Sequence, residues 1–392
     1  MQDIRVALVH DHLQSFGGAE RVLFALHRLF PHAPIYTLYG NEKVIQDRFG
    51  DADVRFSFLQ KFPQRLRSRF RALSLLAISA VEGMDLSEYN VVISSSAFFA
   101  KGVITNPTAI HIAYCHTPPR VLWGIDRAPS SFFASPFLHM MRMWDVHSAL
   151  RPTVFLANSH TVRARIAKYY RQNATVVYPP IDITTSHPYS SFSHKRQEFF
   201  DKRLPKQFFL VVSRLTEHKR VDIAVDGFAK MNHPLVVIGT GPEYDTLKKR
   251  AGDKTILLGY QPDGVVYECM KRCKALIHTS EEDFGMTPVE AMMHGKPVLA
   301  YRRGGASESI TEGKNGEFFD AQHHIVLADG VRRINEKIEQ GAYDSDTIKD
   351  SARIFEKDNF AHAIKRVVRN ELATLHHQHS LFSHSSLNHT ER

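Results

Sequence analysis

The feature that most limits what this chain can fold into is an alternation that runs through most of its length. A short apolar run is followed by a turn and then by a segment with helical spacing, again and again. In the first half the apolar runs fall at 4–10, 91–94, 110–114, 153–157 and 175–178, and in the second at 208–212, 235–238, 256–258, 275–279 and 297–300. Runs this short and this uniformly apolar read as strands buried on both faces. Between them lie stretches such as 19–30, where Val22, Leu23, Leu26 and Leu29 recur at helical spacing, and 220–231, 243–250 and 265–272. Strands alternating with helices imply parallel sheets built from βαβ units. The pattern breaks at Pro179-Pro180 and the Ser- and His-rich stretch 184–195, then restarts. The expected fold class is therefore α/β, with two Rossmann-like domains facing each other across a cleft.

The boundaries expected are 1–182 for the first domain, 183–204 for a linker and 205–351 for the second domain. Residues 352–375 read as a helix packing back toward the first domain. Residues 376–392, with five histidines and four serines, cannot bury a core and read as a disordered tail. A metal-binding role for those histidines is the alternative.

Composition narrows the partners. No apolar run approaches the roughly 18 residues needed to span a bilayer, and the start, MQDIRVALVHD, lacks the layout of a signal peptide. The three cysteines, Cys115, Cys269 and Cys273, form no CxxC pair, which points to a reducing cytoplasm. A formal net charge of +9 asks for an anionic partner: nucleotide phosphates, nucleic acid or an acidic membrane surface. Nucleic acid is disfavoured, because no recognition module or regular aromatic interleaving is present. Lys61, Arg65, Arg67, Arg69 and Arg71 lie on a segment with near-helical spacing of Leu66, Phe70, Leu73 and Ala77. That segment reads either as a membrane-surface element or as a packed helix with a solvated cationic face.

The stretch 281–295, EEDFGMTPVEAMMHG, lies between two strand-like runs. Thr287, Pro288 and Glu290 fit the N-cap, N1 and N3 of a helix, and Gly295 fits its C′ position. A strand that ends in a glycine loop at a helix start is where α/β proteins bind phosphates. Glu282 and Glu290 flank that loop, as ligand-binding groups or as a solvated residue and a cap. Arg214 and Lys219 follow the first strand of the second half, where cations could neutralise a diphosphate. The turn 239–242, GTGP, reads as chain reversal or close approach to a ligand. His116 follows the strand 110–114 and is stiffened by Pro118-Pro119. Its position raises a ligand role to parity with a structural one. The triplets 51–53 and 344–346 spell DxD but sit between elements, and read as surface loops rather than metal sites.

In combination and in order, GGAE at 17–20, YCHTPPR at 114–120, SRLTEHKR at 213–220, GTGP at 239–242 and EEDFGMTPVEAMMHGKPV at 281–298 resemble the retaining glycosyltransferases of family 4, with the GT-B fold. The nearest likeness is to mannosyltransferases that build bacterial surface polysaccharide on a lipid carrier. The resemblance implies a nucleotide-diphosphate sugar as donor, GDP-mannose as the best guess, and a glycan or polyprenyl-diphosphate-linked acceptor. It implies no cofactor and no metal; with the cysteine usage the enzyme is expected in the cytoplasm, and the membrane-surface reading of the basic segment would make it peripheral at the inner face of the membrane. Glu290 would bind the ribose, Glu282 the donor sugar, and the backbone of Phe284, Gly285, Met286 and Thr287 the sugar and phosphates. Arg214 and Lys219 would stabilise the leaving diphosphate, His116 would reach the sugar, and Gly17 and Gly18 would let their loop approach diphosphate or acceptor. Arg302-Arg303 before Gly304-Gly305 departs from the family pattern and is either a phosphate contact or solvated. Two rivals remain: a sugar-nucleotide 2-epimerase of the same fold, and a non-enzymatic basic protein that binds polyanions or membranes.

Overall fold

The computed structural model describes residues 4–67, 70–126, 134–184 and 188–387. It divides into two compact units, Met1–Pro180 with Lys357–Arg392, and Ile181–Glu356. The first unit holds β1 (Val6–His10), β2 (Ile35–Thr37), β3 (Val54–Phe56), β4 (Val91–Ser96), β5 (Ile110–Cys115), β6 (Val154–Ala157) and β7 (Ala174–Val176). They form one parallel sheet in the order β3-β2-β1-β4-β5-β6-β7. The second unit holds β8 (Phe209–Val212), β9 (Leu235–Ile238), β10 (Thr255–Gly259), β11 (Leu276–His278), β12 (Val298–Tyr301) and β13 (Gly316–Phe319), parallel throughout in the order β10-β9-β8-β11-β12-β13.

The strands read as unbroken apolar runs because helices cover both faces. In β1, Ala7 and Val9 join a core with Ala77, Ala80 and Val81 of the helix Phe70–Glu82. Leu8, on the other face, packs with Val22, Leu23 and Leu26 of the helix Gly18–Leu29 and with Phe360, Ile364 and Val368 of the helix Lys357–Leu387. That last helix thus belongs to the first unit although it follows the second in sequence.

Three strands carry no clear sequence signal. β2 and β3 have three residues each and β13 includes Gly316 and Glu317, so none makes a recognisable apolar run. The stretch 183–204, expected as a linker, contains a 3-10 turn at Tyr189–Ser191 and the helix His194–Arg203, both within the second unit. Phe200 of that helix is buried, and this anchor, with no Gly or Pro between 194 and 203, makes the segment structural. The terminal helix runs on to Leu387, past the expected limit at 375; the sequence beyond has no Gly or Pro to stop it.

In both sheets the strand order reverses direction once, between β1 and β4 and between β8 and β11. Ligands of doubly wound sheets bind beyond the carboxyl ends of the strands at such a switch point.

Candidate functional site

At the switch point of the second unit, β8 runs into Ser213-Arg214 and β11 into 279–282. The Arg214 loop is held by the GTGP turn. The Ser213 N–H donates to the Ile238 carbonyl at 3.0 Å and the Leu215 N–H to that of Thr240 at 2.9 Å. A Cβ on Gly239, whose φ is +144°, would lie 1.8 Å from the Ser213 carbonyl oxygen, and one on Gly241 would lie 2.2 Å from that of Leu215. The two glycines are thus needed for backbone contact. Arg214 itself is exposed, with no side-chain partner among the described residues.

Lys219 donates from Nζ to Glu282 Oε1 at 2.8 Å, with the side chains only 15% and 25% exposed. Ser280 Oγ donates to the same oxygen at 3.1 Å, and His278 Nε2 lies 3.9 Å away. Thr279 Oγ1 fixes the Lys219 backbone by donating to its carbonyl at 2.8 Å. Burial pushes the Glu282 carboxyl up, but the Lys219 charge, His278 and the two hydrogen bonds outweigh it and hold the group at about 2. Burial, with Lys219 nearby, depresses His278 despite Glu282. The backbone of Glu282 pairs with Gly304 as in a short parallel strand, and its carbonyl accepts from the Gly305 N–H at 2.7 Å. The result is a fixed carboxylate–ammonium pair with an exposed guanidinium on the adjoining loop.

The first unit builds a different site. Asp11, just past β1, accepts four backbone N–H groups at 2.7–2.8 Å, from Ala97, Phe98, Phe99 and Ala100, and so fixes the loop after β4. His10 Nδ1 lies 3.0 Å from the Ser95 carbonyl and 3.2 Å from Ser95 Oγ, which in turn is 2.8 Å from His116 Nε2. Glu20 faces the other edge of His10, with Oε1 3.9 Å from Nε2, while its Oε2 accepts the Gly17 N–H at 2.9 Å. Burial raises Glu20, yet hydrogen bonding to His10, the His10 charge and the backbone at Glu20 and Gly17 bring it to about 2. Burial, then His10, hold His116 at about 4, so its ring is neutral at pH 7. The His116 backbone is tied to Ser96 O at 2.8 Å and to Asn158 Nδ2 at 2.9 Å. Gly17 and Gly18 are exposed at the helix start, with the Gly17 N–H already engaged by Glu20.

Two doubly wound sheets, each with polar groups gathered at its switch point, narrow the fold to few families. Residues 194–343 match the family model described as glycosyl transferases group 1. The matched segment lies within the second unit, and the chain is a glycosyltransferase. It is 24% identical over 405 aligned positions to the alpha-1,3/1,6-mannosyltransferase ALG2 of Dictyostelium discoideum, covering 86% of this chain and 95% of that one. The ALG2 of Candida glabrata is 23% identical over 363 positions, 78% of either chain. Among solved structures, Anabaena Alr3699/HepE in complex with UDP superposes with a TM-score of 0.70 at 19% identity, over 94% of this chain and 100% of that one. The two units thus have the GT-B fold.

The helix after Glu282 in this glycosyltransferase is Met286–Met293, and its start differs from the sequence expectation. Its N-cap is Gly285, in the left-handed region at φ +89°, so Thr287 and Pro288 lie inside the first turn and no side chain caps the helix. Glycine adopts that conformation without strain, and the helix begins two residues early. A Cβ there would also lie 2.9 Å from that of Ala306. Gly295 does close the helix, at φ +72°, with its N–H on the Met292 carbonyl at 2.8 Å. Glu290 is buried within the helix rather than part of a capping box. Phe284 is buried against Phe355, ring centroids 5.5 Å apart.

Other charged groups sort by their partners. Arg302 is held by Asp320 and by both oxygens of Glu312 at 3.1 Å, and covers the Phe318 ring, whereas Arg303 is exposed and has no side-chain partner among the described residues. Asp53 pairs with Arg55 at 2.8 Å, Asp344 caps the helix Ser345–Ala352 and Asp346 pairs with Lys349 at 2.9 Å. In the basic segment, Arg67 turns inward, donating to Gly40 O at 3.1 Å and Gln60 Oε1 at 2.7 Å, while Lys61 is exposed. Arg69 and the side chains of Arg65 and Arg71 lie outside the described residues. Among the described residues no helix is long and apolar enough to cross a membrane. Glu20, His10, Ser95 and Asp11 were not singled out from sequence; the Glu of GGAE was the only signal for any of them.

Proposed function

We propose that this glycosyltransferase moves a mannosyl group from a nucleotide-diphosphate sugar, GDP-mannose by preference, to a glycan or lipid-linked glycan, with retention and without a metal. The observation that carries the reading is the Lys219–Glu282 pair at the switch point of the second sheet, beside the exposed Arg214. Lys219 and Arg214 meet the charge that develops on the departing diphosphate, and a preorganised cation does so without reorganisation. Glu282, ionised at neutral pH, accepts hydrogen bonds from sugar hydroxyls. The first-turn N–H groups of the helix Met286–Met293 have no intrahelical partner and receive phosphate oxygens. Glu290 binds the ribose. His116 is a neutral hydrogen-bonding group for the sugar, and the Gly17-Gly18 turn lets substrate approach the backbone. The mannosyl assignment is supported by the ALG2 relatives.

The enzyme works at the cytoplasmic face of a membrane, where Lys61, Arg65, Arg69 and Arg71 meet anionic lipid while Arg67 stays turned inward. A thermal-shift panel of GDP-, UDP-, dTDP- and ADP-sugars, followed by product analysis with an acceptor glycan, tests the reading. GDP-mannose should give the largest shift and a glycosylated acceptor. An isomerised sugar nucleotide formed without acceptor would mean a 2-epimerase, and unshifted melting with intact vesicle binding would mean a polyanion binder.

A further inference from the structure

The chain of contacts from Glu20 through His10 and Ser95 to His116 fixes more than the position of a ring. A carbonyl oxygen can only accept, so His10 Nδ1, 3.0 Å from the Ser95 carbonyl, carries a proton. Ser95 Oγ lies 3.2 Å from the same nitrogen, on its donor side, and accepts from it. The buried Ser95 hydroxyl has one proton to donate and, among the described residues, no other acceptor in reach, so it donates to His116 Nε2, 2.8 Å away. A nitrogen that accepts a hydrogen bond is unprotonated, and a neutral imidazole must then hold its proton on Nδ1. That Nδ1 has no protein partner among the described residues. We infer that His10 and Ser95 are positioning residues that hold His116 as its Nδ1–H tautomer, so that the imidazole offers a hydrogen-bond donor to the sugar substrate. The identity of the recipient rests on the sugar-transfer reading; the tautomer does not.

The geometry is built to hold this arrangement. Ser95 is fully buried on β4, in register with His10 of β1 on one side and with Tyr114 of β5, two residues before His116, on the other. Glu20, fixed by the Gly17 N–H, faces the far edge of the His10 ring. The charged and titratable groups around His116 include His10, Asp11, Glu20 and Tyr114, whose ring centroid lies 5.3 Å from that of His116, and Asp11 is committed to four backbone N–H groups.

The full chain labelled with 15N-histidine reads the tautomer directly by long-range proton–nitrogen correlation at pH 7, with His116 assigned by the signal lost in His116→Gln. The expected spectrum shows His116 protonated at Nδ1 and bare at Nε2. Ser95→Ala should shift His116 toward the Nε2–H form and lower kcat about tenfold, the weight of one neutral hydrogen bond, with KM for the donor little changed. Ser95→Thr, which keeps the hydroxyl, should retain the tautomer. An Nε2–H tautomer in the wild type, or a folded Ser95→Ala with an unchanged tautomer, overturns the inference. The wild-type spectrum decides even if Ser95→Ala fails to fold. A correct tautomer in a protein that transfers no sugar leaves the inference standing and sinks the functional reading instead.

Discussion

The two switch points solve different problems with the same backbone plan. In the second unit the strand ends carry full charges that are partly open to water: Lys219 and Glu282 are paired but 15% and 25% exposed, and Arg214 is exposed with no side-chain partner among the described residues. In the first unit the strand ends carry a dry hydrogen-bonded chain, with Ser95 fully buried, His10 3% exposed and His116 neutral at pH 7. Charge that must meet a diphosphate has to be reachable and mobile at its tip. A group that must orient one sugar contact has to be immobile, and burial with complete hydrogen bonding achieves that. Under the proposed sugar-transfer function, the difference would give charge stabilisation to the second sheet and orientation to the first.

The sharpest way to break this contrast is to remove one group from each side. Lys219→Ala should lower kcat about a thousandfold, the loss seen when one preorganised donor is taken from developing charge, while the melting midpoint falls by only a few degrees. If Lys219→Ala costs no more than Ser95→Ala, the division of labour fails.

Asp11→Ala tests the rigid side by stability rather than rate. It leaves the N–H groups of Ala97, Phe98, Phe99 and Ala100 without their acceptor in a loop next to the core. The cost should be about 4 kcal/mol in urea unfolding, since hydrogen bonds to a charged partner are worth about 1.5–3 kcal/mol each and water can replace some of them. Asp11→Asn, which keeps one acceptor oxygen, should lose about half as much. A change under about 1 kcal/mol for the alanine variant would mean that the loop is held by something else.

What could be read from residues alone follows the same division. Lys219 and Glu282 were legible because ionised groups flanking a strand end announce themselves in the sequence, and β8 and β11 are apolar enough to locate those ends. Glu20, His10, Ser95 and Asp11 were not legible, because their meeting depends on the parallel register of β1 with β4 and of β4 with β5. A serine inside the run VVISSS looks like a weak strand end, not the middle of a relay. Thr287 misled for a related reason: its spacing to Glu290 spells a capping box, but Gly285 can take a left-handed conformation that moves the helix start. The strands β2, β3 and β13 make no recognisable apolar run, β13 because Gly316 and Glu317 interrupt it.

Acid should separate the sites in order. His116 is held at about 4 against an ordinary 6.5, so between those values the unfolded chain takes a proton that the native ring refuses. Stability is lost as pH falls through that window, by about 3 kcal/mol for this group. Glu282 is depressed to about 2 from 4.5, so its contribution is intact above 4.5 and is lost only as pH falls from there toward 2. Other depressed histidines, His111 at about 3 and His294 at about 4, add to the first window. His116→Gln should therefore flatten the stability profile between pH 6.5 and 4, and Glu282→Gln only below 4.5, as read by urea midpoints across pH. A Glu282→Gln effect on the slope near pH 6 would contradict the order.

The smallest effect lies at Arg302 and Arg303, which the sequence presents as a matched pair and the structure separates. Arg302 is satisfied by Glu312 and Asp320 and lies over Phe318, so a phosphate would have to displace existing partners to use it. Arg303 has none of these and directly precedes Gly304, whose backbone pairs with Glu282. The chain thus places an exposed cation, without a side-chain partner among the described residues, one residue from the strand contact that holds the Glu282 backbone. Arg303→Gln should weaken nucleotide-diphosphate binding about threefold at low salt, the size expected of one solvent-exposed charge, and the difference should fade as added salt screens it. Arg302→Gln should leave binding unchanged and cost about 0.5 kcal/mol of stability. Titration of both variants with GDP by calorimetry at two ionic strengths separates them; equal losses of affinity would show that the ion pairs of Arg302 open for ligand and that its apparent commitment to Glu312 and Asp320 does not survive binding.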